Sequence, residues 1–313
     1  MTPADRQFAA RDNPPLTLSE SCLIQSPQEC YLQVTLKPKL TYSRRDWLRR
    51  SAGALLSLGM WPGCARFADN GRGGAFRFVV VNDAHFQSPR CPEWFERVSA
   101  SIRSHDPKPE FCLMVGDLAE HGTRSQLGPM RDVLRSLRMP FHVVIGNHDY
   151  VSDRDRSVWD DIYPRSLNYH FEHRDWQVIG LDSSEGTKSG NTRIQPPTLR
   201  WLDNTLPKLD RAAPTVVFTH FPLGALVPMR PINADSVLER FKEFNLVAVF
   251  DGHFHGFTER LSGRTILTTN KCCAISRANH DRTPEKGYFL CAANEGRLRR
   301  EFVEVKPTGI PPA

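Results

Sequence analysis

The sequence lacks several features that would assign it to other protein classes. Its eight cysteines form no C-x-x-C pair and match no zinc-finger spacing, so a structural zinc site is not expected. The only modestly apolar run near the start, Ala52–Met60, is far below the ~20 residues that a membrane-spanning helix needs. No transmembrane segment is therefore expected. No internal repeat is apparent.

The sequence also has little excess charge where a folded domain is expected. The net charge is +6, but residues 1–75 hold ten Lys/Arg against six Asp/Glu, which leaves 31 basic and 29 acidic residues for the rest. This near balance of charge gives no indication of a basic stripe of the kind that binds nucleic acid. No nucleic-acid partner is therefore expected.

Five of the cysteines lie beyond residue 75, an odd number, so at least one would stay unpaired even in an oxidising compartment. Cys112 and Cys291 stand in apolar, strand-like runs and are predicted to be core residues, since cysteine is often buried. The adjacent Cys272 and Cys273 receive no role from the sequence.

The N-terminal part is predicted to be separate from the folded domain. Residues 1–42 are rich in Pro, Ser, Gln and Thr and are interpreted as a disordered or mis-annotated extension. Residues 43–74 resemble a twin-arginine export signal followed by a Gly-rich linker, with the basic block Ser43–Arg50, the apolar run, and small residues at Gly63 and Ala65. This predicts use of the twin-arginine machinery and a periplasmic or secreted protein. A basic amphipathic helix in a cytoplasmic protein is the alternative.

From residue 75 to residue 305, short β-branched runs alternate with helical stretches, which is typical of βαβ units and a mostly parallel sheet. Three other places predict antiparallel hairpins, with first strands near 169–171, 258–261 and 288–292. The sequence therefore predicts one α/β domain over 75–305 with some antiparallel edge strands, followed by a flexible tail over 306–313.

Five short motifs follow predicted strands. They are Asp83-Ala84-His85, Gly116-Asp117, Gly146-Asn147-His148-Asp149, Thr219-His220-Phe221-Pro222 and Gly252-His253-Phe254-His255. Because the carboxyl ends of neighbouring parallel strands meet at one sheet edge, residues far apart in the chain can form one site there. Their carboxylates, amide oxygen and imidazoles suit divalent Mn, Fe or Zn. Taken singly, each residue is as well explained as a helix cap, a turn residue or a hydrogen-bonded histidine.

This set of motifs resembles the calcineurin-like metallophosphoesterases, across about residues 75–305. The Asp-x-His motif is absent from the related purple acid phosphatases, which places the resemblance in the broader group that includes bacterial cyclic-nucleotide phosphodiesterases. The resemblance implies a four-layer α/β/β/α sandwich with mixed sheets and two divalent or mixed-valence metal ions (Mn, Fe or Zn). It implies that Asp83, His85 and His255 bind the first ion, that Asn147, His220 and His253 bind the second, and that Asp117 bridges both.

The same resemblance implies a role for two further residues. His148 would stand beside the leaving group without binding metal, and Asp149 would hold its ring in place. The expected reaction is hydrolysis of a small phosphate diester or monoester by a bridging hydroxide between the two ions. Two alternatives remain open from the sequence: a non-catalytic binding scaffold with this fold, and a nuclease of the same superfamily.

Residues beside the motifs have more than one interpretation from the sequence. Phe86, Tyr150 and Phe254 could line a substrate pocket or pack in the core. His121 is interpreted as an exposed loop residue, and the arginines at 124, 154 and 156 as solvated or as contacts for a second phosphate. The substrate-binding residues are not predicted.

Overall fold

The computed structural model describes residues 74–87, 90–307 and 309. The predicted extension over 1–42 lies outside these residues, as does all but the last residue of the predicted signal segment over 43–74. Most of the predicted tail over 306–313 also lies outside them. The predictions for these segments stay predictions. Within the described ranges, no helix is both long and apolar enough to cross a membrane.

The first sheet has five strands in the order β11-β10-β1-β2-β3. Strands β1 (Phe76–Val81), β2 (Phe111–Val115) and β3 (Phe141–Val144) run parallel. Strands β10 (Gly287–Asn294) and β11 (Arg297–Glu304) form a hairpin, and β10 pairs antiparallel with β1. A hairpin near residue 300 therefore completes the sheet that contains β1.

The second sheet has six strands in the order β4-β5-β6-β7-β9-β8. Its central strands are β5 (Trp176–Leu181), β6 (Thr215–Thr219), β7 (Leu246–Asp251) and β9 (Thr265–Thr269), which are parallel. Two antiparallel edge strands, β4 (Tyr169–His173) and β8 (Thr258–Ser262), flank them. The hairpins predicted from the sequence are all present.

The two sheets pack face to face, and helices cover both outer faces. Alternate residues of β1 show this arrangement: Phe78 and Val80 contribute to the core between the sheets, whereas Val79 and Val81 contribute to the core under the first set of helices. Both faces of β1 are buried from Phe78 onward, and Phe78–Val81 is accordingly a continuous hydrophobic run. Burial of each large apolar side chain contributes about 1.5–3 kcal/mol before entropy is counted.

Three helices lie over the first sheet: α1 (Cys91–Arg103), α2 (Arg124–Ser136) and α3 (Ser157–Ile162). Two more, α4 (Pro196–Thr205) and α5 (Asp235–Arg240), lie over the second. Short 3₁₀ turns span Asn147–Asp149 and Leu206–Lys208. The four-layer α/β/β/α sandwich with mixed sheets is confirmed. Cys112 and Cys291 are buried in the core, as predicted.

Candidate metal centre

The motif residues come from both sheets and lie together at the carboxyl ends of the parallel strands. Asp83 and His85 follow β1, Asp117 follows β2 and Asn147 follows β3, while His220 follows β6 and the last two histidines follow β7. All seven predicted ligands are buried: Asp83, His85, Asp117, Asn147, His220, His253 and His255. The packing of one sheet against the other is what joins the two halves of the set.

Four of these residues form a first group whose ligand atoms all lie within 4.8 Å of one another: Asp83, His85, Asp117 and His255. Nε2 of His85 is 3.0 Å from Nε2 of His255 and 3.6 Å from Oδ2 of Asp117. Nε2 of His255 is 3.5 Å from Oδ1 of Asp83. The four side chains therefore point toward one small volume.

A second group shares Asp117 with the first. Nε2 of His220 lies 3.2 Å from each of three atoms: Oδ2 of Asp117, Oδ1 of Asn147 and Nδ1 of His253. Asp117 is the one residue that belongs to both groups, and the same oxygen, Oδ2, faces both. This is the position that a bridging carboxylate would occupy.

The hydrogen bonds around the second group test whether a cation fits there. Nδ1 of His220 donates to the Val115 carbonyl at 3.0 Å, and Nε2 of His253 donates to the Ser189 carbonyl at 2.8 Å. In the neutral form, each ring then presents a lone pair toward the cluster. These two lone pairs meet carboxylate and amide oxygens, which are also acceptors. In that neutral form the acceptors converge with no donor between them, which fits a divalent ion, and the outer carbonyls fix the tautomers as metal-bound histidines require.

The charges of the centre favour a positive occupant. Burial opposes protonation of His220, but the Asp117 and Asp83 carboxylates outweigh it and raise the pKa of His220 to about 9. Burial likewise opposes protonation of His255, and Asp83 raises its pKa to about 10. Burial disfavours the charged form of Asp83, yet His255 and His220 lower its pKa to about 2. Without a bound ion, the His220 and His255 rings thus carry protons that a metal ion would displace.

The backbone at the site is unusual. Asp83, His85, Asp117, His253 and His255 all have φ between +43° and +64°, in the left-handed region that costs a non-glycine residue of order 1 kcal/mol or more. A Cβ placed on Gly146 would lie 2.2 Å from Oδ1 of Asp117, so only glycine allows this loop to approach the shared carboxylate. Such concentrated strain is typical of functional sites.

His148 stands at the edge of the first group. Its backbone N–H donates to Oδ1 of Asp117 at 2.9 Å, and its ring lies 4.8 Å from the His85 ring in an edge-on arrangement. The His148 side chain is 28% exposed, whereas each of the seven predicted ligands is nearly or fully buried. Its ring can therefore reach a bound molecule at the mouth of the site.

The expectation that Asp149 holds the His148 ring is wrong. The two carboxylate oxygens of Asp149 accept hydrogen bonds from the backbone N–H groups of Ala119 and Gly146, each at 2.9 Å. Nδ1 of His148 instead donates to the Glu120 carbonyl at 2.9 Å. Burial and the nearby Asp117 carboxylate raise the pKa of Asp149 to about 8. Asp149 ties the loops after β2 and β3 together.

Glu120 was not identified from the sequence. One of its carboxylate oxygens, Oε2, lies 3.0 Å from Nδ1 of His85, although the contact is poorly aligned with the ring N–H. The guanidinium of Arg277 binds both oxygens of the same carboxylate. Burial works against the charged form of Glu120, but His85 and Arg277 lower its pKa to about 2. Its place three residues after Asp117 was the only available signal.

The residues beside the motifs mostly pack in the core, pair with acidic residues or are exposed. Phe86 and Tyr150 are buried in the core under α1, α2 and α3, and His121 is exposed, as expected. Phe254 is half-buried. Arg124 pairs with Asp161, Arg156 pairs with Asp160, and Arg154 is exposed.

Comparison with known proteins agrees with this geometry. The family model described as calcineurin-like phosphoesterase matches residues 76–257, more than half of the chain. A probable glycerophosphodiester phosphodiesterase of Arcobacter nitrofigilis is 25% identical over 177 residues, which are 54% of this chain and 64% of that protein. A 3',5'-cyclic-nucleotide phosphodiesterase of Nostoc sp. is 29% identical over 184 residues, covering 56% and 67% of the two chains. The match to the Arcobacter protein therefore spans less than two thirds of its length.

Among solved structures, GAP50, the anchor in the inner membrane complex of Plasmodium, superposes with a TM-score of 0.55 at 15% identity. The match covers 75% of this chain and 86% of that one. At this identity the likeness concerns the fold alone.

Proposed function

This chain belongs to the calcineurin-like phosphoesterase family, and we propose that it hydrolyses a small phosphate diester with two divalent metal ions. The observation that carries the proposal is the position of Asp117 Oδ2, which faces both groups of acceptors at 3.6 Å and 3.2 Å from a histidine nitrogen of each. A diester is favoured over a monoester because the two relatives described above are named as phosphodiesterases.

The proposed ligands follow the two groups. Asp83, His85 and His255 would hold one ion, Asn147, His220 and His253 the other, and Asp117 both. When bound, such a pair of ions supplies Lewis acidity that activates water and neutralises charge on the phosphoryl oxygens. The metals that this donor set favours are Mn, Fe and Zn.

The chain's own groups would contribute binding and proton transfer. His148 is exposed at the rim, and the hydrogen bond from its Nδ1 to the Glu120 carbonyl leaves Nε2 directed elsewhere for a substrate oxygen. A ring held in this way can donate a proton to the departing alkoxide or stabilise its charge, which contributes about 10²–10⁴ in rate.

The full set of acceptors argues against a scaffold without catalysis, because a scaffold has no use for seven converging buried ligands. The near balance of charge beyond residue 75 argues against a nuclease. Export through the twin-arginine machinery and a periplasmic or secreted location also belong to the proposal, and they rest on residues 43–74 alone.

Hydrolysis of bis(4-nitrophenyl) phosphate by the metal-free protein after addition of Mn²⁺ tests the proposed activity. We expect turnover by the wild type that is lost in Asp117→Asn, which keeps the side-chain shape but removes the shared charge. A folded protein that binds two equivalents of metal, yet cleaves neither this diester nor cyclic nucleotides nor glycerophosphodiesters, would overturn the activity and leave the metal site standing.

A further inference from the structure

Lys286 is a buried lysine without a carboxylate partner. Its side chain lies just before β10, and the residue is 8% exposed. Nζ contacts the Cys272 sulfur at 2.8 Å, the Arg277 carbonyl at 2.6 Å and Oδ1 of Asn279 at 3.3 Å. Within residues 74–87, 90–307 and 309, no acidic side chain lies within 4.0 Å of Nζ, whereas Lys271 nearby pairs with Glu285. Buried lysines ordinarily have a paired charge, whereas here a sulfur and two neutral oxygens stand in the place of a carboxylate.

Cys272 is the unusual neighbour of this amine. The Lys286 amine donates a hydrogen bond to the Cys272 sulfur, with Nζ and Sγ 2.8 Å apart. This separation is no longer than the about 3–3.5 Å between two reacting atoms in a near-attack arrangement. The amine and the sulfur are thus placed as reactants would be.

Asn279 holds the two residues in this arrangement. Its Oδ1 accepts the Cys272 backbone N–H at 3.0 Å and faces the lysine amine, while its Nδ2 donates to the carbonyls of Thr283 and Glu285 at 2.8 and 2.9 Å. One buried amide therefore connects the segment that contains Cys272 to the segment that precedes Lys286. Because Asn279 is itself 5% exposed, this connection is shielded from water.

We propose that Cys272 and Lys286 are a modification site, at which a peroxide oxidant joins the two side chains by a sulfur–nitrogen bond. The geometry of the pair carries this inference, which does not depend on the proposed hydrolase activity. The oxidant would be hydrogen peroxide or an organic hydroperoxide.

The chemistry has two steps. Peroxide first oxidises the Cys272 thiol to a sulfenic acid: an S–O bond forms, the O–O bond breaks and the other oxygen leaves as water or alcohol. The Lys286 amine then attacks the sulfur, the S–N bond forms, and the S–O bond breaks with loss of water that carries an amine proton. Sulfur loses two electrons to the peroxide, and a thiol reductant reverses the link.

Cys272 is fully buried, like the other cysteines of residues 74–87, 90–307 and 309, and buried cysteines are ordinarily inert. The contact of its sulfur with the Lys286 amine distinguishes it from them. A peroxide would have to pass the loop that places the carbonyls of Arg277 and Ala278 at 3.7 and 3.9 Å from Sγ, in which Ala278 is exposed. Cys273 is the matched control, because it is equally buried but belongs to the core under α1, and no hydrogen bond joins its sulfur to Lys286 in the described part of the chain.

The test is peptide mass spectrometry of the full-length protein, purified reduced, treated with hydrogen peroxide, alkylated and digested with trypsin. We expect residues 272–277 joined to residues 283–297, with a combined mass lower by two hydrogens and with no cleavage after Lys286. A disulfide to Cys291 would have the same mass loss but would leave Lys286 open to trypsin. The link should disappear after reduction.

Variants make the assignment specific. Lys286→Arg and Cys272→Ser should lose the link completely, and Cys273→Ser should retain it at the wild-type level. Circular dichroism checks that each variant is folded. If the folded wild type shows only unmodified Cys272, or its sulfinic or sulfonic acid, without a joined peptide, the proposal is wrong. The wild-type result decides this even if a variant fails to fold.

Discussion

The Glu120 carboxylate lies 3.0 Å from Nδ1 of His85. The other ring nitrogen of His85, Nε2, faces the other proposed metal ligands. A carboxylate behind a metal-binding histidine orients the ring and raises its basicity. Glu120 is itself held by Arg277, and its backbone carbonyl accepts from His148. One residue thus contacts both a predicted ligand and the predicted leaving-group histidine.

Glu120→Gln should weaken binding of the ion at His85 by about 10–100-fold, because the neutral amide supports the ring less well. Mn²⁺ titration by calorimetry measures this, and the second ion should be affected less. Glu96→Gln is the control, since Glu96 is an exposed residue that pairs with Arg103. Equal affinities in wild type and Glu120→Gln would show that the contact does not support metal binding.

His148→Asn should lower kcat by about 10²–10⁴ while metal content stays at the wild-type level. The reason is that the backbone N–H of residue 148, which contacts Asp117, is unchanged by the substitution. Elemental analysis and turnover of the diester substrate measure the two effects separately. His121→Asn, in the neighbouring exposed loop, should have no effect on either. A metal-poor His148→Asn protein would instead place His148 among the ligands.

Metal affinity should fall as pH falls. With pKa values of about 9 and about 10, the His220 and His255 rings are both in their charged, doubly protonated form at neutral pH in the metal-free protein. A metal ion must displace one proton from each ring to bind. Affinity should therefore weaken by up to about tenfold per pH unit for each proton released, between about pH 9 and about pH 6. Titrations across this range, in buffers of different ionisation enthalpy, count the protons released. Binding that does not change with pH would contradict these protonation states.

The same raised pKa values predict how the metal-free fold depends on pH. His220 and His255 hold protons in the folded state above the ordinary histidine pKa of 6.5, so the stability they contribute is complete below that pH. It is lost as pH rises toward about 9 to 10. Thermal unfolding of the metal-free protein should show Tm falling over this interval, and saturating Mn²⁺ should reduce the fall. A Tm that rises with pH in the metal-free protein would be inconsistent with this linkage.

Gly146→Ala should disrupt the centre, because the new methyl group would lie 2.2 Å from Oδ1 of Asp117. We expect metal content to fall and the protein to lose about 1–3 kcal/mol of stability from overpacking. Gly128→Ala, within α2, is the control: apart from its chain neighbours and the helix's own backbone, no atom of the described residues lies within 4 Å of its added methyl group. Metal content should stay at the wild-type level, but no stabilisation is expected, because Pro129 follows and disfavours the helical conformation of a preceding residue that has a Cβ. Wild-type metal content in Gly146→Ala would show that the loop can move far enough to accommodate the added methyl group.

Much of the fold was predictable because its strands are local patterns. Strands β1 at 76–81 and β2 at 111–115 are short apolar runs of the kind that the sequence predicts as strands, since such a run is recognisable without tertiary contacts. The motifs that follow the predicted strands, and the family resemblance that they carry, also implied the seven side chains that the structure brings together, although these side chains come from two sheets. Order along the sheet was not predictable: β10 lies beside β1 although more than 200 residues separate them.

The sequence by itself determined the donor types, their positions after the strands and the glycines beside them. Only the tertiary structure decided that Glu120 supports His85, that Asp149 binds backbone rather than His148, and that Cys272 meets Lys286. The physical reason is that these contacts join loops distant in the chain. Their geometry depends on how the two sheets pack, and no local periodicity or motif records a distance between loops.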